Sequence, residues 1–162
     1  MLTIYGLKIS YFTGKMEAYL RYKEIPFRFQ AITMTEFEKT FPKQLGAQQI
    51  PVLQLEDGRL MTDTTPMIDW LEADDNNTPI LPSHPAMAFF ARLIEDYADE
   101  YLWRPAMHYR WSKLEHQRDF IMREFGRHSA PAASAKEQIA IGERISKPFS
   151  RMLPTLGITE DT

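Results

Sequence analysis

The chain has 162 residues, of which 44% are hydrophobic and 25% are charged, and its formal net charge is -3 at pH 7. This composition is typical of a globular protein with one large domain or two small ones, and the net negative charge gives no reason to expect nucleic acid as a partner. The sequence contains no cysteine. It therefore has no disulfide, no thiolate nucleophile and no cysteine metal site. The histidines are too scattered to predict a metal site.

The sequence also bears on the compartment. No apolar run approaches the roughly 18 residues of a membrane-spanning helix, so no membrane span is expected. The N-terminal stretch MLTIYGLK lacks the basic-then-apolar order of a signal peptide. We therefore expect a cytoplasmic protein.

The beginning of the chain predicts a strand–helix–strand unit. Alternation over residues 2–8 predicts the first strand, and apolar residues at helical spacing predict a helix that ends near Lys23. Residues 26–32 alternate again and predict a second strand. So short a connection favours a parallel pair with a right-handed crossover. Residues 33–49 predict an irregular helix that is broken or kinked at Pro42.

Residues 50–72 predict two short strands and a helix. Pro51 is excluded from a central strand, so the strand begins after it. Asp57 and Gly58 then lie between two apolar runs, which is a strong signal for a hairpin turn. The sequence DTTP, which begins at Asp63, predicts the start of a helix because it combines capping oxygens with a proline in the first turn.

The second half of the chain predicts helices. A polar, proline-rich segment over residues 74–85 predicts a linker. The apolar stripe from Phe89 to Tyr101 predicts a long helix with a kink or restart at Pro105. Its side chains are expected mostly in the core, and the alternative is that part of the stripe lines a pocket or a dimer face. The later elements are helices over about residues 114–125 and 135–153. Gly126 and the small-residue stretch over residues 129–134 predict an interruption between them.

Three features resemble the glutathione transferases, and in chain order they are the joint after the first strand, Ile50-Pro51 and Asp63-Thr64. In that family an apolar residue and a cis-proline precede the third strand, and an acidic and a hydroxyl residue open the next helix. Ile50-Pro51 and Asp63-Thr64 match these positions. In SYFTGKMEAYLRYKEIPF a small polar residue precedes a helix that ends at Ile-Pro-aromatic, as in the serine-type and cysteine-type transferases. The fragments PAMHYRW and DTTPMIDWLE also resemble a transferase-like branch related to metaxin-type proteins.

The resemblance covers residues 2–73 and implies the fold class. We expect an α/β thioredoxin-like N-terminal domain over residues 1–75, a linker over residues 76–84, and an all-α helical domain over residues 85–162. The family's helical domain usually contains a buried helix capped by Ser or Thr with Asp three residues later. No such box follows Ser134, which predicts a shortened helical domain.

The resemblance also implies a glutathione site. Ser10 falls on the position that activates the thiol, and the alternative is that it only caps the first helix. Tyr11 and Tyr5 are the rival hydroxyls, although Tyr5 lies inside the predicted first strand, which favours a packing role. Asp63 and Thr64 could likewise serve only as a helix cap, and Gln49 could be only an exposed loop residue. The implied glutathione contacts are the amides near Phe12 and Thr13, Gln49 at the glycine end, the Ile50 backbone that Pro51 exposes, Asp63 at the amino group, and Thr64 at the γ-glutamyl carboxylate.

The implied activity is a transferase that conjugates the glutathione thiolate to a small apolar electrophile. Glutathione is the co-substrate and no cofactor is expected. The resemblance further implies detoxification by a homodimer. The alternative is a non-catalytic module kept for binding or protein interaction, which the short helical domain favours.

Overall fold

A four-stranded mixed sheet with flanking helices forms the first part of the computed structural model, which describes residues 1–74 and 79–159. The strands, in the sheet order β2-β1-β3-β4, are β1 (Leu2–Gly6), β2 (Phe27–Ala31), β3 (Val52–Gln54) and β4 (Leu60–Thr62). β1 and β2 are parallel, whereas β3 is antiparallel to β1 and β4. The helices of this part are α1 (Tyr11–Tyr22), α2 (Phe41–Leu45) and α3 (Thr64–Asp74). This arrangement confirms the predicted thioredoxin-like α/β fold.

The connections of this domain also follow the predictions. The segment before α2 contains a π-helical turn (Glu36–Thr40), and Pro42 lies in the first turn of α2, where it restarts the helix. The Ile50–Pro51 peptide bond is cis, as the resemblance implied. Gly58 forms the predicted hairpin turn at a φ of 89°, a conformation that glycine adopts without steric cost.

Apolar side chains cover both faces of the sheet, as the alternation in the strands predicts. One core lies between the sheet and helices α1 and α3, and its fully buried members are Ile4, Met16, Leu20, Leu53 and Met67. The opposite face is covered by α2 and buries Ile32, Phe41 and Val52. β1 and α1, whose junction contains Ser10, are therefore anchored by buried side chains of the sheet domain.

The second part of the chain is helical. Its elements are α4 (Pro85–Tyr97), a π-helical turn (Ala98–Leu102), α5 (Trp103–Ser112), α6 (Arg118–Ser129) and α7 (Ala135–Arg151), with 3₁₀ turns at Leu114–His116 and Leu153–Leu156. Pro105 lies in the first turn of α5, shortly after the π-helical turn, and the helical backbone continues through this region. An aromatic and aliphatic core around Trp111, Ile121 and Phe125 joins α5 and α6. The predicted linker lies partly outside the described residues, and residues 79–84 contain no helix or strand.

The predicted interruption at Gly126 is wrong, because α6 continues through it to Ser129. The glycine is required by the contact between α6 and α7. A Cβ atom at Gly126 would lie 1.7 Å from the carbonyl oxygen of Gln138, and one at Gly142 would lie 1.8 Å from that of Met122. Two glycines thus let the two backbones touch, and the packing outweighs the low helix propensity of glycine.

α7 begins with a capping box that the sequence analysis missed. The Ser134 hydroxyl accepts the Glu137 amide at 3.4 Å, and the Glu137 carboxylate accepts the Ser134 amide at 2.9 Å. The expected box had Asp at the third position, whereas here Glu fulfils the same role. The helical domain therefore does contain a capped helix, and its residues Gln138, Gly142 and Ser146 are buried.

The prediction that the apolar stripe lies mostly in the core is wrong for this chain. We call its exposed side chains the α4 face, which consists of Phe89, Phe90, Leu93, Ile94 and Tyr97; Ile94 is 67% exposed. The helix turns Glu95 and the adjoining Asp99 toward the sheet domain, where both bind Lys15. The ion pairs thus lie on the inward side of the helix, and the apolar side chains face outward.

Candidate functional site

Ser10 caps the first helix. Its hydroxyl oxygen accepts the Thr13 amide at 3.3 Å, and its ψ of 130° is the extended conformation of a cap residue. An accepting hydroxyl still has its own proton to donate. The amides of Tyr11 and Phe12 are first-turn donors, for which α1 offers no acceptor. The joint between β1 and α1 therefore gathers donors at the positive end of a helix.

The Tyr11 hydroxyl is already engaged. It donates to the carbonyl of Ala98 at 3.2 Å and so connects α1 to the helical part of the chain. Thr13 is fully buried, and its hydroxyl has no hydrogen-bond partner among the described residues. Its side chain packs against Gly6, where an added Cβ atom would lie only 2.5 Å from the Thr13 hydroxyl oxygen. The other rival hydroxyl, Tyr5, donates to Gln54 at 3.1 Å inside the sheet.

An apolar cleft of about 360 Å³ opens between the sheet domain and the helical part. Four predicted site residues line it: Ser10, Tyr11, Phe12 and Ile50. The rest of its lining comes mainly from apolar side chains, among them Met34, Phe37, Trp103, Met107 and Phe149. Pro51 lies behind this surface, fully buried.

A polar pocket of about 300 Å³ adjoins the cleft. Its lining residues are Phe12, Gln49, Ile50, Asp63, Thr64, Asp99 and Glu100. Phe12 and Ile50 line both spaces, so the pocket and the cleft share a wall. The sequence analysis missed Asp99 and Glu100, which come from the π-helical turn after α4. No local pattern around them indicated a site.

The start of α3 shapes the polar pocket. Asp63 has a φ of 72°, in the left-handed region, and its Oδ1 accepts the Thr65 amide at 3.4 Å. Asp63 is exposed, whereas Thr64 is 3% exposed. Gln49 is exposed as well, and its Oε1 accepts the hydroxyl of Thr62 at 3.4 Å. The carboxylate of Asp63 therefore faces solvent at the pocket wall.

An ion-pair network joins the two parts of the chain below this pocket. The Lys15 ammonium donates to Glu95 at 2.6 Å and also to Asp99, and the Thr65 hydroxyl donates to Glu95 at 2.5 Å. Burial lowers the pKa of Lys15, but its hydrogen bonds to Asp99 and Glu95 outweigh that effect and raise it. Burial raises the pKa of Glu95, but the bonds from Lys15 and Thr65 hold it below its usual value.

Two basic side chains in the cleft were not predicted as site residues. Arg110 lines the cleft and donates to the carbonyl of Ile9. His128 also lines it, and its Nδ1 lies 2.5 Å from the carbonyl oxygen of Ile32. Burial lowers the pKa of Arg110. No group of three or more His, Asp or Glu within residues 1–74 and 79–159 is placed to hold a metal ion.

Comparison with known families gives one match. Residues 4–79 match the model of the glutathione S-transferase N-terminal domain. The sheet domain belongs to this family of N-terminal domains, and the match ends before the helical part of the chain. A comparison with curated proteins found no match.

Solved structures share the fold. A glutathione S-transferase from Methylobacterium radiotolerans, in complex with glutathione sulfonate, is 20% identical with a TM-score of 0.55 over 91% of this chain and 63% of that chain. A glutathione transferase homologue from Sulfitobacter with bound glutathione is 16% identical, with a TM-score of 0.57 over 96% of this chain and 64% of that chain. A possible glutathione S-transferase from Rhodopseudomonas palustris is 15% identical, with a TM-score of 0.56 over 97% and 88%. The chain thus spans less than two thirds of the first two structures. None of the described helices is long and apolar enough to cross a membrane.

Proposed function

We propose that the chain binds glutathione across the polar pocket and the apolar cleft and conjugates its thiolate to an apolar electrophile. One observation carries this proposal: the predicted site residues line two adjoining spaces that share a wall. Those residues are Ser10, Tyr11, Phe12, Gln49, Ile50, Asp63 and Thr64. Thr13 and Pro51 support these surfaces from behind.

The polar pocket suits the γ-glutamyl end of glutathione. The carboxylates of Asp63, Asp99 and Glu100 attract its ammonium group, and the first-turn amides of α3 attract its carboxylate. The Ile50 backbone, next to the cis peptide, pairs with the tripeptide in the manner of a strand. Glutathione in this orientation directs its sulfur along the shared wall toward Ser10.

The first chemical step requires a thiolate. A free thiol has a pKa of about 8.5, and lowering it by roughly two units takes about 2.7 kcal/mol. The Ser10 hydroxyl can donate to sulfur while its oxygen still accepts the Thr13 amide. The Phe12 amide and the positive end of α1 add to the stabilisation. Tyr11 is the weaker candidate because its proton is engaged by Ala98.

The second step uses the apolar cleft. The electrophile lies against its aromatic and aliphatic lining with its reactive carbon near Ser10. The thiolate lone pair forms the new sulfur–carbon bond, and the leaving group departs with its electron pair. The proton of the thiol has already passed to water. Exclusion of water by the apolar lining strengthens the hydrogen bonds to sulfur.

Calorimetry and turnover together test the proposal. Glutathione should bind saturably, S-methylglutathione should compete with it, and 1-chloro-2,4-dinitrobenzene should be conjugated with the release of chloride. S-methylglutathione occupies the same site without a free thiol and should give no product. A folded protein that shows neither binding nor conjugation would overturn the proposal.

The α4 face is the basis for a second proposal, which concerns dimerisation, and for the alternative function as an interaction module. Its exposed aromatic and aliphatic side chains form a contiguous stripe, which is unusual on a monomer. We propose that it pairs two copies of the chain in a cytoplasmic, detoxifying homodimer. Sedimentation should show a dimer that Ile94→Lys converts to a monomer. If the protein is monomeric and also ignores glutathione, the non-catalytic interaction module replaces the enzyme.

A further inference from the structure

Arg110 is a charged side chain on the cleft wall. Trp103, Met107 and Arg110 recur at a spacing of four and three residues, which places them on one face of α5. All three line the apolar cleft. Arg110 is half-buried, and one of its amino groups donates to the carbonyl of Ile9, directly before Ser10. Its guanidinium therefore lies close to the proposed sulfur position.

Among the described residues, no acidic side chain forms an ion pair with the Arg110 guanidinium. The cleft lining among the described residues contains neither Asp nor Glu, and Arg110 forms no ion pair within residues 1–74 and 79–159. Arg92, Arg118 and Arg127, by contrast, each bind a carboxylate. The carboxylates of the adjoining space, Asp63 and Asp99, belong to the polar pocket.

The hydrogen bond to the Ile9 carbonyl uses only part of the hydrogen-bonding capacity of the Arg110 guanidinium. A guanidinium carries five N–H donors in a planar fork, and a single carbonyl contact occupies one of them. Removing a cation from water without a counter-charge is unfavourable, and burial accordingly lowers the pKa of Arg110. Because arginine keeps its proton all the same, an anion entering the cleft relieves this cost.

We propose that the electrophile accepted by this chain carries a carboxylate that Arg110 binds inside the apolar cleft. The inference rests on the proposed transferase function and names its substrate class: flat, apolar electrophiles with one acidic group. The carboxylate is unchanged in the reaction. The thiolate attacks the electrophilic carbon, and the leaving group departs with the bonding electrons. Two parallel N–H donors match the two carboxylate oxygens.

A matched substrate pair tests this specificity. 4-Chloro-3-nitrobenzoate and 4-chloro-3-nitrobenzamide differ in charge and little in shape. At saturating glutathione the wild type should prefer the benzoate in kcat/KM. Arg110→Met should lower kcat/KM for the benzoate about tenfold or more, because a charge-assisted hydrogen bond is lost. The rate with the benzamide should change little, and Arg110→Lys should restore part of the preference.

The controls separate substrate binding from other roles. Arg104→Met removes an exposed arginine of the same helix and should leave both substrates unaffected. Arg110→Gln keeps a donor for the Ile9 carbonyl, so it tests the charge if the methionine variant is unstable. A wild type without preference for the benzoate would overturn the inference. An equal loss with both substrates would also overturn it and would place Arg110 beside the thiolate instead.

A binding measurement without glutathione distinguishes failure of the inference from failure of the proposed function. 1-Anilinonaphthalene-8-sulfonate and neutral N-phenyl-1-naphthylamine share an aromatic frame and differ by one anionic group. Arg110→Met should lower the binding affinity for the sulfonate dye about tenfold and leave the affinity for the neutral dye unchanged. If the wild type ignores glutathione but shows this difference, the transferase proposal fails while the anion site stands. Equal dye affinities in wild type and variant would contradict the anion site.

Discussion

Replacing Asp63 by asparagine isolates its charge from its role in the backbone. Asp63 has a φ of 72°, which costs most residues roughly 1–2 kcal/mol but is tolerated by asparagine. The asparagine side-chain oxygen can still accept the Thr65 amide, which lies 3.4 Å from Oδ1. We therefore expect Asp63→Asn to unfold at the same temperature as the wild type. Asp63→Ala should lose about 1 kcal/mol or more of unfolding free energy.

The expected effect on glutathione is large. A hydrogen bond between charged groups is worth roughly 1.5–3 kcal/mol, which corresponds to an affinity loss of about tenfold to a hundredfold. Turnover at saturating glutathione should change little, because the contact lies at the γ-glutamyl end and is equal in ground state and transition state. Calorimetry measures the affinity, and initial rates with an aromatic electrophile measure the turnover.

A surface carboxylate supplies the matched control. Asp57 lies in the exposed hairpin turn and binds Arg59 at 2.6 Å. Asp57→Asn should leave glutathione affinity unchanged. Wild-type affinity in Asp63→Asn, with the protein folded, would refute the placement of the γ-glutamyl group in the polar pocket.

Two further predictions concern stability. Gly142→Ala should lower the unfolding free energy, measured with urea, by about 3 kcal/mol, because its Cβ would lie 1.8 Å from the carbonyl oxygen of Met122. Gly14 lies in open space, so Gly14→Ala should raise the unfolding free energy by about 0.5–1 kcal/mol. Equal effects of the two substitutions would contradict the close α6–α7 contact. Glu95 has a folded pKa below its ordinary 4.5, so its stabilisation is present above pH 4.5 and is lost as the pH falls through the folded value. Glu95→Gln should therefore be less stable than the wild type at pH 7 and lose less stability between pH 7 and pH 3, as followed by urea unfolding. Parallel pH profiles would show that the Lys15 network does not stabilise the charged form of Glu95.

Local signals predicted the sheet domain well. The Asp57-Gly58 turn and the helix start after Asp63 depend on residues adjacent in sequence, so their structures follow from turn and cap chemistry. The cis bond before Pro51 came from the resemblance. Where tertiary contact overrides propensity, the predictions were wrong: Gly126 reads as a breaker, yet α6 passes through it because α7 needs the space.

Distant contacts explain what the sequence analysis missed at the site. Asp99, Glu100 and Arg110 lie far along the chain from Ser10 and reach the two spaces only through the packing of the helical part against the sheet. Periodicity showed that α4 has an apolar stripe but not what would cover it. On the opposite side of the helix, Glu95 and Asp99 pair with Lys15 of the sheet domain, a distant contact that no local pattern indicates.

The central claim is that the Ser10 joint holds glutathione as a thiolate. The direct measurement is the ultraviolet absorbance of the thiolate in the bound complex, titrated against pH in wild type and Ser10→Ala. We expect bound glutathione in the wild type to ionise below the free thiol, and Ser10→Ala to raise that pKa by about one unit, or roughly 1.4 kcal/mol. Coincident curves would reduce Ser10 to a helix cap. A wild type with no bound thiolate at neutral pH would contradict the transferase account.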